Sequence, residues 1–179
     1  ASGGYYIACA TDKIVANPGT LTGSIGVIME YANLMKIAEK IGISPVVIKS
    51  GEFKDMGSPL RELKPSEQQI FQDLVDELHQ QFVSDAAAAR QMDISAMADL
   101  ADGRVYTGQT ALNLNLVDRL GNLHDAAVLA GELAGMTEKP ILVYPKEDRM
   151  TFIRKLAETL FKDINISGTV ADHFRYVIN

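Results

Sequence analysis

The chain has no tryptophan and a single cysteine, Cys9. One thiol excludes an internal disulfide and any zinc site built from several cysteines, and its apolar setting reads it as a small core residue. No apolar run approaches the roughly 18 residues that a membrane-crossing helix needs. No basic run stands out, and the net charge of −6 argues against non-specific binding to nucleic acid. The three histidines, His79, His124 and His173, are too scattered to suggest a metal centre, and no cofactor is expected. Repeats and low-complexity segments are also lacking. What remains is the composition of a soluble globular protein, 47% hydrophobic and 22% charged over 179 residues. That length fits one domain, or one domain with a helical appendage.

The pattern along the chain alternates short apolar runs with helical periodicity. Residues 3–10 suit a buried helix, and Lys13–Ala16 reads as a short strand stopped by Asn17-Pro18-Gly19. Ser24–Met29 is a second apolar run, Tyr31–Ile41 reads as a helix ending at Gly42, and Pro45–Lys49 reads as a strand. A long helix from about Pro65 to Arg90 follows, with Ser66 and Gln69 as a capping pair. Its apolar stripe is Ile70, Leu74, Leu78 and Phe82, widened by Phe71 and Val75. His79 lies just beyond that stripe and reads as a solvated position. Arg104–Tyr106, a helix from about Gln109 capped by Thr107, and Leu116–Asp118 form a second strand–helix pattern. Asn115 stands at the helix exit, where its tolerance of the left-handed conformation is useful. A helix over 122–134 carries His124 in its first turn, and Pro140–Tyr144 reads as a last strand. The alternation predicts an α/β fold. It divides into a main α/β part over residues 1–145 and a helical arm over 146–179, an expected oligomer contact.

Two segments concentrate the chemistry. Ser2 lies between Ala1 and Gly3-Gly4, at the expected start of a helix, where a serine is exposed. Lys54 lies in Gly51-Glu52-Phe53-Lys54-Asp55-Met56-Gly57, with Phe53 and Met56 as desolvating neighbours. A serine hydroxyl is a weak nucleophile until a base takes its proton, and an amine serves as that base only when its pKa is lowered. Asp55 opposes this unless it points away. Ser24 in Thr22-Gly23-Ser24-Ile25-Gly26 suits a hydroxyl that orients the amine, and the Gly3 N–H suits half of an oxyanion hole. Read on these residues alone, the plainer account is a helix-capping Ser2, a turn Ser24 and a surface Lys54. Tyr5 and Tyr6 read as core or groove-wall residues.

Four ordered blocks change that balance. Ala1-Ser2-Gly3-Gly4-Tyr5-Tyr6-Ile7-Ala8, Thr22-Gly23-Ser24-Ile25-Gly26-Val27, Gly51–Pro59, and Gly103–Gln109 with Leu116–Gly121 resemble the successive motifs of the bacterial signal peptide peptidase A family. The resemblance covers roughly residues 1–135. It implies that Ser2 is the nucleophile, Lys54 the general base and Ser24 the partner of the lysine amine. It also implies the fold shared by the Clp protease subunit and crotonase, a β-α superhelix. The implied partners are hydrophobic signal-peptide substrates, further copies of the chain in a ring, and the bacterial membrane through an anchor, with the catalytic domain on its outer face. Asn115 replaces a glycine usual in the family. The upstream glycine motif that gives the second oxyanion donor, the first strands and the anchor have no counterpart, so the chain reads as the C-terminal part of a longer protein. Two other functions remain open at this point: a non-catalytic oligomeric scaffold, and a crotonase-like acyl-CoA enzyme that would need no lysine base.

Overall fold

The computed structural model of the protein describes residues 1–144. Within them, local signals placed most helices correctly, and long-range pairing decided the rest. The longest element, α3 (Pro65–Arg90), begins with a proline at its first position, where a missing N–H leaves nothing unsatisfied. This makes Lys64 the flanking residue and Glu67 the third of the helix. The Glu67 carboxylate therefore accepts the Lys64 N–H at 3.0 Å, in place of the expected Ser66–Gln69 pair. At the other end Gln91 turns left-handed at φ 52°, and the Met92 N–H closes on the Ala87 carbonyl at 2.9 Å.

Around α3 the chain forms α1 (Gly3–Ala8), β1 (Val15–Ala16), β2 (Leu21–Gly23), α2 (Met35–Lys40), α4 (Ile94–Leu100), β3 (Val105–Thr107), α5 (Gly108–Asn113), β4 (Arg119–Leu120) and α6 (Leu123–Leu133). β1 pairs in parallel with β4, Val15 opposite Arg119, and β2 pairs antiparallel with β3, Thr22 opposite Tyr106. The domain is a mixed α/β structure. Thr107 caps α5 as expected by accepting the Thr110 N–H, and Asn115 leaves it at φ 58°. Gly108 is required by close approach, since a Cβ there would lie 2.0 Å from the Asn17 carbonyl oxygen. Asn122 caps α6 by accepting from the His124 and Asp125 N–H groups, so exposed His124 is part of a helix start.

The core gathers Tyr5, Ile25, Phe82, Val83, Ala86, Met97, Leu116 and Val117. Buried Tyr5 donates to the Leu116 carbonyl at 2.8 Å, which satisfies its hydroxyl, and burial keeps that hydroxyl protonated. Cys9 packs half-buried against the cluster, and burial pushes its thiol up. Asp118 clamps the surrounding elements together. It accepts from Arg90 at 2.7 Å, the Ile14 N–H at 2.8 Å and Lys13 at 3.1 Å. Burial opposes its charge, but these donors outweigh burial and hold its carboxyl near a pKa of about 2.

Four expectations are corrected. Pro45–Lys49 forms no strand, and Val46 and Ile48 are 88% and 97% exposed. β-branched residues make a strand only against a neighbour, and none of the described residues offers one. Pro140–Tyr144 is likewise irregular, and the Leu116–Asp118 run precedes the short strand β4 instead of forming it. The α3 stripe is buried only in its second half. Phe82 and Val83 are inside, whereas Ile70, Leu74 and Leu78 are 38%, 42% and 44% exposed. α1 and α4 reach α3, and among the described residues no element packs over its first half closely enough to bury those three. Residues Ala1–Glu138 form one compact unit, and Lys139 begins a second. The helical arm expected over 146–179, and His173 with it, lies outside the described residues.

Candidate active site

Ser2 sits on the turn into α1 with φ 52° and ψ −128°, a conformation that ordinary residues avoid. The backbone is fixed on both sides of it. The Ser2 N–H donates to the Gly23 carbonyl at 2.7 Å, and the Ser2 carbonyl accepts from the Tyr5 and Tyr6 N–H groups at 2.9 and 3.0 Å. Its side chain makes no capping bond, so the helix-cap account of this serine fails. The left-handed turn instead presents an uncommitted hydroxyl on an exposed residue. Strain of this kind costs on the order of 1–3 kcal/mol and persists only where the surroundings enforce it. The Gly3 N–H, next in the chain, has no hydrogen-bond acceptor among the described residues.

Ser24 is brought to the same place. It also has positive φ, 50°, and its N–H donates to the Arg104 carbonyl at 2.8 Å. Gly23 explains how the two serines come together. At φ 76° it lies so close to the Tyr106 ring that a Cβ would stand 2.5 Å from Cδ2, and its carbonyl is the acceptor for Ser2. After Ser24 the chain makes one more bond to the β3 side, from the Gly103 N–H to the Ile25 carbonyl at 3.0 Å. The backbone of Gly26, Val27 and Ile28 then runs with no hydrogen bond among the described residues.

Two cavities meet at Ser2. One, of about 400 Å³, is walled by Val27, Ile28, Leu78 and Phe82, with Tyr6 and Gln81 at a polar end. Tyr6 donates to the Asp85 carboxylate, which raises its pKa, and stacks edge-on against Phe82 with ring centres 4.9 Å apart. The other cavity, of about 490 Å³, holds Ser24, Asp76, His79 and Asp102. His79 is half-buried there, its Nε2 2.8 Å from the Ala101 carbonyl oxygen. This corrects the expectation of a solvated histidine; the end of α4 folds back onto α3, which no local signal announced. Arg104 holds the Asp102 carboxyl near about 2, so the acid remains ionised and neutralised.

Lys54 is the expected site residue that lines neither cavity. It is exposed, on the turn Gly51–Gly57. The structure therefore assembles Ser2, Gly3 and Ser24 from one copy of the chain and leaves the lysine outside that group. Tyr6 as a wall of the groove follows the sequence reading.

A family model described as peptidase family S49 matches residues 1–137, which contain all of these groups. The chain belongs to peptidase family S49. Among its relatives, slr0021 of Synechocystis sp., whose name ranks it provisionally as a protease, is 49% identical over 156 residues, 87% of this chain and 56% of that protein. Serine protease SPPA, chloroplastic, of Arabidopsis thaliana is 40% identical over 76% of this chain and 20% of its own length. Protease 4 of Salmonella typhi is 33% identical over 82% of this chain and 24% of its own. The chain thus spans about half, or less, of the length of the curated relatives it matches. These findings agree with the resemblance carried by the four sequence blocks. No helix among the described residues of this S49 chain is long and apolar enough to cross a membrane.

Proposed function

We propose that this S49 chain carries the catalytic residues of a serine endopeptidase that degrades remnant signal peptides after their release from preproteins. The observation that carries the proposal is Ser2 itself. Its hydroxyl is uncommitted on a strained turn, beside an unbonded edge and an apolar cavity. The edge at Gly26–Ile28 offers main-chain donors and acceptors to an extended peptide, and the Val27, Ile28, Leu78 and Phe82 cavity takes one of its apolar side chains. Signal peptides supply such segments. The fold is that of the Clp protease subunit and crotonase.

In the mechanism, neutral Lys54 takes the Ser2 proton and Ser2 Oγ attacks the peptide carbonyl. Ser24 orients the amine. The Gly3 N–H, still without an acceptor, stabilises the oxyanion of the tetrahedral intermediate. The resulting ammonium gives its proton to the departing amine and leaves an acyl ester on Ser2. Water, deprotonated by the same lysine, then hydrolyses that ester. Lys54 is exposed and outside the Ser2 cavities, which favours its delivery from a second copy in a ring. A ring also keeps folded proteins away from the groove, and an anchor holds it at the outer face of the bacterial membrane.

Labelling by a fluorophosphonate tests the proposal. Ser2→Ala abolishes labelling, and Lys54→Ala lowers its rate by roughly 10²–10⁴, the usual contribution of a general base. Labelling rises with pH as the lysine loses its proton. Mixing the two variants restores labelling if the lysine comes from a second copy. An alanine variant at Lys54 that labels at the parent rate refutes the dyad.

A further inference from the structure

A base must be uncharged to work, yet Lys54 is flanked on its own turn by Asp55, with Glu52 two residues before it. An adjacent carboxylate stabilises the ammonium form, opposite to what the chemistry needs. The structure deals with Asp55 through a defined ion cluster. Lys49 Nζ donates to its carboxylate at 2.7 Å, and Arg61 donates from Nε at 2.8 Å and from Nη2 at 3.1 Å. Arg61 also donates to the Asp55 carbonyl at 3.0 Å, and to both oxygens of fully buried Glu67 at 2.8 and 2.6 Å. The guanidinium is thus fixed between the lysine turn and the first turn of α3. Lys49 closes the turn from the other side through the Glu52 carbonyl at 2.7 Å. Arg61, then Lys49, hold the Asp55 carboxyl far below the usual carboxylate range. The other charges around the turn are the Glu52 carboxylate, which has no partner among the described residues, Glu62 and Lys64 from the segment that follows, and exposed Lys36, Glu39 and Lys40 from α2, which is joined to this segment through the Leu34 N–H and the Pro59 carbonyl.

We propose that Arg61 and Lys49 are positioning residues for the base, engaging both oxygens of the Asp55 carboxylate so that it does not pair with the Lys54 amine. This rests on the Ser2–Lys54 reading for its catalytic meaning, although its electrostatic content stands without it. The cluster does more than brace the turn. A brace could be built from any pair of groups, whereas this one occupies both oxygens of the single carboxylate adjacent to the lysine.

The test titrates Lys54 directly in the full chain, from the rate of its trace acetylation by acetic anhydride between pH 7 and 11, read by peptide mass spectrometry. Fluorophosphonate labelling of Ser2 is followed over the same range. Arg61→Met combined with Glu67→Gln removes one charge of each sign, so any change reports the freed Asp55 and not the net charge. The Lys54 midpoint is expected to rise by roughly 0.5 pH unit, the scale of one unscreened neighbouring charge in water. Adding Asp55→Asn returns it to the parent value or below, which a purely structural role does not explain. Lys49→Met, at a partly exposed side chain, gives a smaller rise that the charge-balanced Lys49→Met/Asp55→Asn pair abolishes, and this comparison decides the matter if the Arg61 variant does not fold. Folded variants whose Lys54 titrates with the parent overturn the inference. If Ser2 is unlabelled in the parent while the lysine midpoints move as expected, the peptidase reading fails and this one stands. Labelled Ser2 with unmoved midpoints gives the reverse result.

Discussion

The serine and the lysine of this chain are held by different forces. Around Ser2 the backbone is pinned by bonds to Gly23, Tyr5 and Tyr6, and the residues behind it are among the most buried in the chain, with Tyr5, Ile25, Met97 and Leu116 at 2% exposure or less. Across residues 26–62, which carry Lys54, Ala38 alone falls in the buried class, while Val46 and Ile48 are nearly bare. What fixes the lysine turn is the Asp55–Arg61–Glu67 cluster, with Lys49. The proposed nucleophile lies on a strained turn that a packed core holds stationary. The proposed base sits on a segment whose apolar residues find no partner among the described residues, so ion pairs and turn hydrogen bonds, not packing, hold it.

The most direct way to break this comparison is to remove comparable side chains from the two regions. Met97→Ala is expected to cost about 2–5 kcal/mol, because the cavity it leaves among Ala86, Leu116 and their neighbours cannot collapse. Ile48→Ala is expected to change stability by less than about 0.5 kcal/mol. Urea unfolding of the two variants measures both. Equal losses would mean that the lysine segment is as well packed as the serine region.

A smaller change sharpens the same contrast by acting on the serine through the backbone. Gly23→Ala places a methyl carbon 2.5 Å from the Tyr106 ring in a backbone conformation, φ 76°, that disfavours alanine. The expected loss is about 1–3 kcal/mol. Because the Gly23 carbonyl anchors the Ser2 N–H, labelling of Ser2 should also fall at least tenfold in protein that remains folded. A less stable variant with parent labelling would show that the serine turn is set by α1 alone.

The same division explains what the sequence made legible. The start of α3 at Pro65, the Thr107 cap and the left-handed exit at Asn115 depend on residues within a few positions of one another, and each appears where the local chemistry requires it. The motif blocks located Ser2, Gly3 and Ser24, which the fold brings together although Ser24 is far along the chain. Failures occurred where an outcome depends on a distant partner. Val46-Val47-Ile48 has the composition of a strand but no partner among the described residues, and Ile70, Leu74 and Leu78 have helical spacing but little among those residues to cover them. His79 was misread for the opposite reason, since a distant carbonyl at Ala101 came to meet it. Ser2 looked like a cap because caps are common. Its backbone conformation, set in part by the distant Gly23 carbonyl, leaves the side chain unable to cap.

The mildest perturbation, acid, should distinguish the two regions within one molecule. Arg61, with help from the Lys64 N–H, holds the Glu67 carboxyl near about 2, below the 4.5 of an unperturbed glutamate, and Asp55 is also depressed. A carboxylate with a lowered folded-state pKa contributes stability that is complete above its unfolded pKa. That contribution disappears as pH falls through the folded value. The ion cluster at the lysine turn therefore weakens from about pH 4.5 down to about 2. Over the same range the apolar contacts around Ser2 gain and lose no charge, although Asp118 loosens its clamp from about pH 3.8 down to about 2. Amide exchange should show this as a few-fold faster exchange, normalised for the intrinsic rate, at Met56 and Ser58, whose N–H groups bond within the turn, before any change at Cys9 or Leu116. Glu67→Gln should flatten the pH dependence at the turn and leave that of the core unchanged. If all four amides lose protection together, the lysine turn and the serine core unfold as one unit, and the contrast between them does not extend to their energetics.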